Sequence, residues 1–198
     1  MEMQDTARRR ATRARLVEAA INEFGRDGID ATSVEQLCEA AGFTRGAFYS
    51  NFSSKDDLCI AVARQVAEDV AQRFRGVLAD MPDRIGHDDV VAAVLGVGQL
   101  TPELHATQVE LALRAARRPE FAVRLEAARE DLWPLYAEVL EQASQRAHTR
   151  LIVPVMDMLQ IIEALYYSPQ LIGKQEESLR LITLATRHLI EPLEGTRQ

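Results

Sequence analysis

A chain of 198 residues, 47% of them hydrophobic and 27% charged, has room for one globule or for a small domain joined to a larger one. No apolar run approaches the roughly 18 residues of a membrane span, the opening MEMQDTARRR lacks the apolar stretch of a secretory signal, and Cys38 and Cys59 fit no zinc or redox spacing. A cytoplasmic protein without metal or cofactor is expected, and its net charge of −7 argues at first sight against a nucleic-acid partner.

The distribution of charge reverses that argument. Residues 1–55 hold eight basic and eight acidic side chains, so the remainder carries the whole excess of acid. Within the neutral part, Arg8, Arg9, Arg10, Arg13 and Arg15 stand together with no acid among them. Screening limits electrostatic reach to about 8–10 Å, so a phosphate responds to this local potential rather than to the net charge. Such a run serves either as a solvated, fraying terminus or as a phosphate contact.

Apolar residues recur at three- and four-residue spacing along almost the whole sequence, which predicts an all-α chain of about nine helices. The first is expected over Thr6–Phe24, burying Leu16, Ala20, Ile21 and Phe24 and stopped by Gly25, Asp27 and Gly28. Thr32 and Ser33 offer capping hydroxyls to a short helix over Val34–Ala41, with Gly42 as the left-handed residue that ends it. Thr44 caps another over Arg45–Asn51, and Ser53 or Ser54 caps a long one reaching Asp80. Further helices are expected over Gly86–Leu100, Pro102–Arg117 and Pro119–Ala147, the last kinked or split at Pro134. Pro154–Tyr167 and Glu176–Ile190 complete the set.

The informative stretch is TSVEQLCEAAGFTRGAFYSNF, residues 32–52. Two short helices about a glycine turn make a helix-turn-helix, whose second helix enters the major groove of double-stranded DNA. Leu37, Ala41, Phe48 and Phe52 would lock the pair onto the first helix, leaving Arg45, Gly46, Ala47, Tyr49, Ser50 and Asn51 outward. Arg45 can donate a bidentate pair to guanine, Ala47 can meet a thymine methyl, Asn51 can pair with adenine, and Gly46 permits close approach. Ser50 completes the expected base-reading set. Lys55 at a helix start is electrostatically odd, since cations are disfavoured there, and a nearby phosphate would resolve it.

From Arg13 to Leu58, the residues Phe24, Gly28, Thr32, Ala41-Gly42, Thr44, Arg45-Gly46, Phe48-Tyr49, Phe52, Lys55 and Leu58 at their spacings resemble the TetR family of repressors. The likeness is specific over about residues 8–60. It implies phosphate contacts from Thr32, Ser33, Thr44, Tyr49 and Lys55, to which the arginine run adds Arg8, Arg9 and Arg10. Two departures stand out. Glu35 occupies a position often held by arginine in the family, and it either reads cytosine or faces solvent. Ser50-Asn51 stands where larger residues are common.

The layout implied by the resemblance is a DNA-binding domain over residues 1–53 and a ligand-binding and dimerisation domain over 54–198. The last two helices would pair with those of a second copy through Met158, Ile161, Ile162, Leu165 and Tyr166, and through Leu179, Ile182, Ala185 and Leu189. Either stripe serves equally as core within the chain. Leu104, Gln108, Leu111, Phe121, Trp133, Tyr136, Val155 and Leu159, with His105 as a polar handle, are candidates to line the pocket of a small, mainly apolar effector. The long helix starting at Lys55 is then the only rigid lever between the two functions. A repressor released from a palindromic operator is the leading expectation; an activator or a ligand-independent regulator fits the same residues, as does, remotely, a helical interaction module that binds no DNA. His87, His105, His148 and His188 are scattered, and no phosphate loop or nucleophile elbow appears, so no enzyme is expected.

Overall fold

A computed structural model describes residues 2–82, 86, 89, 92, 101–170 and 175–193. Among them lie nine helices: α1 (Glu2–Asp27), α2 (Val34–Ala41), α3 (Arg45–Asn51), α4 (Lys55–Asp80), α5 (Pro102–Arg117), α6 (Pro119–Glu130), α7 (Trp133–Arg146), α8 (Val155–Gln170) and α9 (Gln175–Leu189). Two strands join them, β1 (Thr149–Leu151) and β2 (Ile190–Pro192), paired antiparallel with Arg150 opposite Glu191. The helix expected over Gly86–Leu100 lies outside the described residues.

Two compact units divide the chain. The first comprises residues 1–67 and 100–131, the second residues 68–99 and 132–198. In the first, α1 packs along α5, and Leu16, Ala20, Phe24, Leu37, Phe48, Phe52, Leu58, Val62, Leu111 and Phe121 form one core. Helix α5 thus belongs to the body that holds α1–α3.

Gly25 explains how α1 and α5 come so close. It lies inside α1, not at its end, and an added Cβ would stand 2.4 Å from the carbonyl oxygen of Glu103. The stop is made by Gly28, at φ 86°, three residues later than expected for the helix end.

In the second unit, Ala71, Leu78, Val139 and Ala143 are buried together, with Phe74, Leu135 and Tyr136 packed against them. The helix expected over Pro119–Ala147 is split between Glu130 and Trp133. Pro134 falls in the first turn of α7, where a missing amide proton costs nothing. Helices α8 and α9 pack against each other. Met158 and Ile182 are buried within their own chain. Ile161, Ile162, Leu165, Tyr166, Ala185 and Leu189 are half-buried, and the side chain of Leu179 lies outside those described.

Both thiols sit in the first core, and burial pushes the Cys59 thiol up to about 12 and raises that of Cys38. Neither is therefore nucleophilic at neutral pH. A maleimide probe is expected to label the native chain slowly at both and the urea-unfolded chain fast; rapid native labelling would contradict this placement.

Candidate nucleic-acid interface

Local capping builds the helix-turn-helix. The Ser33 hydroxyl accepts from the Gln36 amide at 3.1 Å, and the Gln36 side chain accepts from the Ser33 amide at 2.7 Å, a reciprocal capping box. Gly42, at φ 71° and ψ 36°, ends α2 in the left-handed conformation, and the Phe43 amide then bonds the Cys38 carbonyl at 2.8 Å. Thr44 caps α3 by accepting from the Ala47 amide at 3.2 Å. The Ser33 and Thr44 hydroxyls each retain a proton to donate outward.

The inner side of α3 is apolar. Phe48 is fully buried, and its ring meets Tyr49 edge-on at 5.2 Å and Phe52 at 5.9 Å. The C-terminus of α3 is held by arginines of α1. Arg9 donates to the Ser50 carbonyl at 3.2 Å, and Arg13 donates to the Asn51 carbonyl while stacking 4.2 Å above the Phe52 ring. Cations there complement the helix dipole. Arg9, expected on a phosphate, thus has a partner within the chain, while Arg8 and Arg10 are exposed on α1.

The outer side of α3 presents Arg45, Gly46, Tyr49 and Ser50 to solvent, with Ala47 half-buried. Tyr49 is 51% exposed, a large fraction for so big a ring. A Cβ at Gly46 would meet only the Thr44 hydroxyl, at an ordinary 3.7 Å, so nothing in the chain itself requires glycine there. Arg45 pairs with Glu35 across the turn at 2.5 Å, and its guanidinium lies 5.9 Å from the Tyr49 ring centroid. Tyr49 first and Glu35 second hold the Arg45 guanidinium above its ordinary value, so it is charged throughout. Glu35 therefore does not simply face solvent.

Three expected contact residues are placed otherwise. Thr32 is 1% exposed, and its hydroxyl donates to the Gly28 carbonyl at 2.7 Å, so it fastens the α1–α2 loop rather than facing a phosphate. Asn51 turns back onto its own helix, its amide nitrogen donating to the Ala47 carbonyl at 2.8 Å and its Oδ1 buried without a partner. The Lys55 ammonium donates to the carbonyls of Ile29 at 2.7 Å and Thr32 at 3.0 Å. Two backbone oxygens thus accompany a lysine at a helix start, and one of its three protons remains to donate.

The same loop is clamped from α5, which local sequence patterns do not reveal. Glu110 accepts from the Ile29 amide at 2.9 Å. Arg114, with a side chain only 7% exposed, reaches both Asp30 before α2 and Asp56 in the first turn of α4, the latter at 2.6 Å. These partners stand 58 to 84 residues apart in sequence.

The expected pocket residues fall in different units. Leu104, Leu111 and Phe121 are core residues of the first, where His105 is half-buried with Nδ1 enclosed and without a partner, and Gln108 is half-buried. Trp133, Tyr136, Val155 and Leu159 are half-buried in the second. A cavity of about 430 Å³ in that unit is lined by Arg75, Leu78, Ala79, Gln142, Gln145 and Arg146, none of them expected. Among the described residues, no cluster of His, Cys, Asp and Glu could hold a metal, and no helix is long and apolar enough to cross a membrane.

The pattern of the bacterial regulatory proteins of the tetR family matches residues 16–62, from the buried face of α1 through the helix-turn-helix into α4. Over that segment the chain is similar to the TetR family. It is 29% identical over 75 residues to the transcriptional repressor KstR2 of Rhodococcus jostii, covering 38% of this chain and 37% of that one. It is 25% identical over 137 residues to the transcriptional regulator UidR of Escherichia coli, covering 68% and 67%. The chain thus spans little more than a third of one relative's length and two thirds of the other's. These relatives are regulators of transcription, not enzymes. Salmonella enterica GusR has the same fold, with a TM-score of 0.67 at 22% identity over 90% of this chain and 95% of that one.

Proposed function

We propose that this protein is a homodimeric, DNA-binding regulator that represses transcription from a palindromic operator and releases it when a small molecule binds. The observation that carries this reading is the exposed face of α3. A glycine that no neighbour requires, a half-exposed tyrosine and a charged arginine stand outward on a helix whose other side is fixed by Phe48. Residues 1–53 serve as the DNA-binding part and residues 54–198 as the sensing and pairing part. Tyr49, Ser33 and Thr44 hold phosphates by their hydroxyls, and Arg45 reads a base edge. One seven-residue helix contacts too few bases for useful specificity, so two copies are required, their reading helices about 34–36 Å apart.

Release works through α5 as well as α4. Leu104, His105 and Gln108 precede Glu110 and Arg114 on the same helix, and the last two clamp the loop from which α2 departs. A mainly apolar effector with one polar group for the orphaned His105 nitrogen would shift that helix. A coupling of about 1–3 kcal/mol weakens operator binding roughly 5–150-fold.

The test is selection of duplexes from a random pool, followed by a salt series on the recovered sequence. A palindrome is expected, with affinity falling steeply as salt rises. Arg45→Ala is expected to cost about 1–3 kcal/mol at one symmetric pair of positions and to leave the others unchanged. A pool that yields no enriched sequence, or binding indifferent to salt, overturns the reading.

A further inference from the structure

The carboxylate of Glu35 bears on Arg45, the one strongly charged group on the outer face of α3. Glu35 stands in the first turn of α2, 56% exposed, and its Oε1 lies 2.5 Å from Nη1 of Arg45, itself 61% exposed. The Tyr49 ring centroid lies 5.9 Å from the same guanidinium. Arg45 is therefore flanked by two partners on two helices, not swinging on a flexible stem. An exposed pair of this kind contributes little to folding. Its consequence lies in what the pair does beside a polyanion.

We propose that Glu35 is a positioning residue for base reading: it fixes the plane of the Arg45 guanidinium for a guanine and, by its own charge, penalises every duplex that lacks a guanine there. The proposal rests on the DNA-binding reading above and adds to it the origin of sequence preference. Nη1 faces Glu35 and the Tyr49 side chain also bonds the guanidinium, so its remaining donors are held in one plane for the O6 and N7 acceptors of guanine. A free arginine would instead turn to the nearest phosphate, which every sequence offers. At a base that cannot accept two hydrogen bonds, the Glu35 carboxylate remains near the phosphates without the compensating contact, which is a cost. The pair thus lowers affinity for DNA in general and raises discrimination at one position.

Two measurements on Glu35→Gln, which keeps the size of the side chain and removes its charge, test this against the parent protein. In the first, affinity for a duplex of unrelated sequence is followed through a salt series. The variant is expected to bind about three- to tenfold more tightly at moderate salt, as one fewer acid faces the phosphates. In the second, duplexes are selected from a random pool. The variant is expected to lose its guanine preference at the symmetric positions that Arg45→Ala also relaxes, and to keep the rest of the motif. Unchanged affinity for unrelated duplex together with an unchanged motif overturns the proposal, as does a loss spread evenly over all positions. A parent protein that enriches no duplex overturns the DNA-binding reading and this proposal with it; a parent that enriches a palindrome which the variant reproduces overturns this proposal alone.

Discussion

Arg114→Ala is expected to lower the unfolding free energy by about 3 kcal/mol and the melting temperature by roughly 6–12 °C, measured by thermal and urea denaturation. The arginine is nearly enclosed, and it donates from Nε and Nη2 to Asp56, itself largely buried. Its removal leaves the Asp56 carboxylate facing only Arg118, at 3.4 Å. A buried carboxylate left with one longer, partly exposed ion pair, rather than a lost contact, makes the change severe. The partner Asp30 is 70% exposed, so Asp30→Ala is expected to cost little. Replacing both members of the buried pair, Arg114→Met with Asp56→Leu, is expected to recover much of the loss, because no charge is then stranded. A double variant as unstable as Arg114→Ala would contradict this account.

Gly25→Ala is expected to destabilise by about 2 kcal/mol or more, although alanine is the better helix former by about 1 kcal/mol. The new Cβ would meet the Glu103 carbonyl oxygen at 2.4 Å, its Cα at 2.7 Å and its carbonyl carbon at 2.8 Å. All three are backbone atoms, so relief requires α1 and α5 to part. Gly76, inside α4, has no atom within 4 Å of the same construction, and Gly76→Ala is expected to stabilise by about 0.5–1 kcal/mol. Opposite signs for one substitution in two helices, read by urea denaturation, test the close approach; equal signs would refute it.

The helix-turn-helix is legible in the sequence because its punctuation is local. Ser33, Gly42 and Thr44 each satisfy backbone groups within a few residues, so α2 and α3 begin and end where their caps require. The roles of Gly25 and Lys55 are not legible, since both depend on what another segment brings near. A glycine close to a helix end looks like a stop signal until the Glu103 backbone arrives. A lysine at a helix start gives no sign of the Ile29 and Thr32 carbonyls that accept its protons. Pro134 signals a break but not its side, and the break precedes it because proline is tolerated in a first turn. The β1–β2 pair escapes notice because three-residue strands are too short to alternate. Outward direction on α3 follows from periodicity for Arg45 and Tyr49, but Asn51 departs from it by bonding its own helix.

A seven-residue helix is far too short to hold its shape alone in water, so α3 takes its rigidity from Phe48, Phe52 and the arginines of α1. The side chains that supply this rigidity and those that face outward are different residues. Scaffold and vocabulary are separable: Arg45, Ala47 and Ser50 can be exchanged one by one with little penalty to folding, whereas the residues beneath them cannot. On the proposed DNA-binding reading, recognition is free to drift toward new sequences while the architecture stays constant.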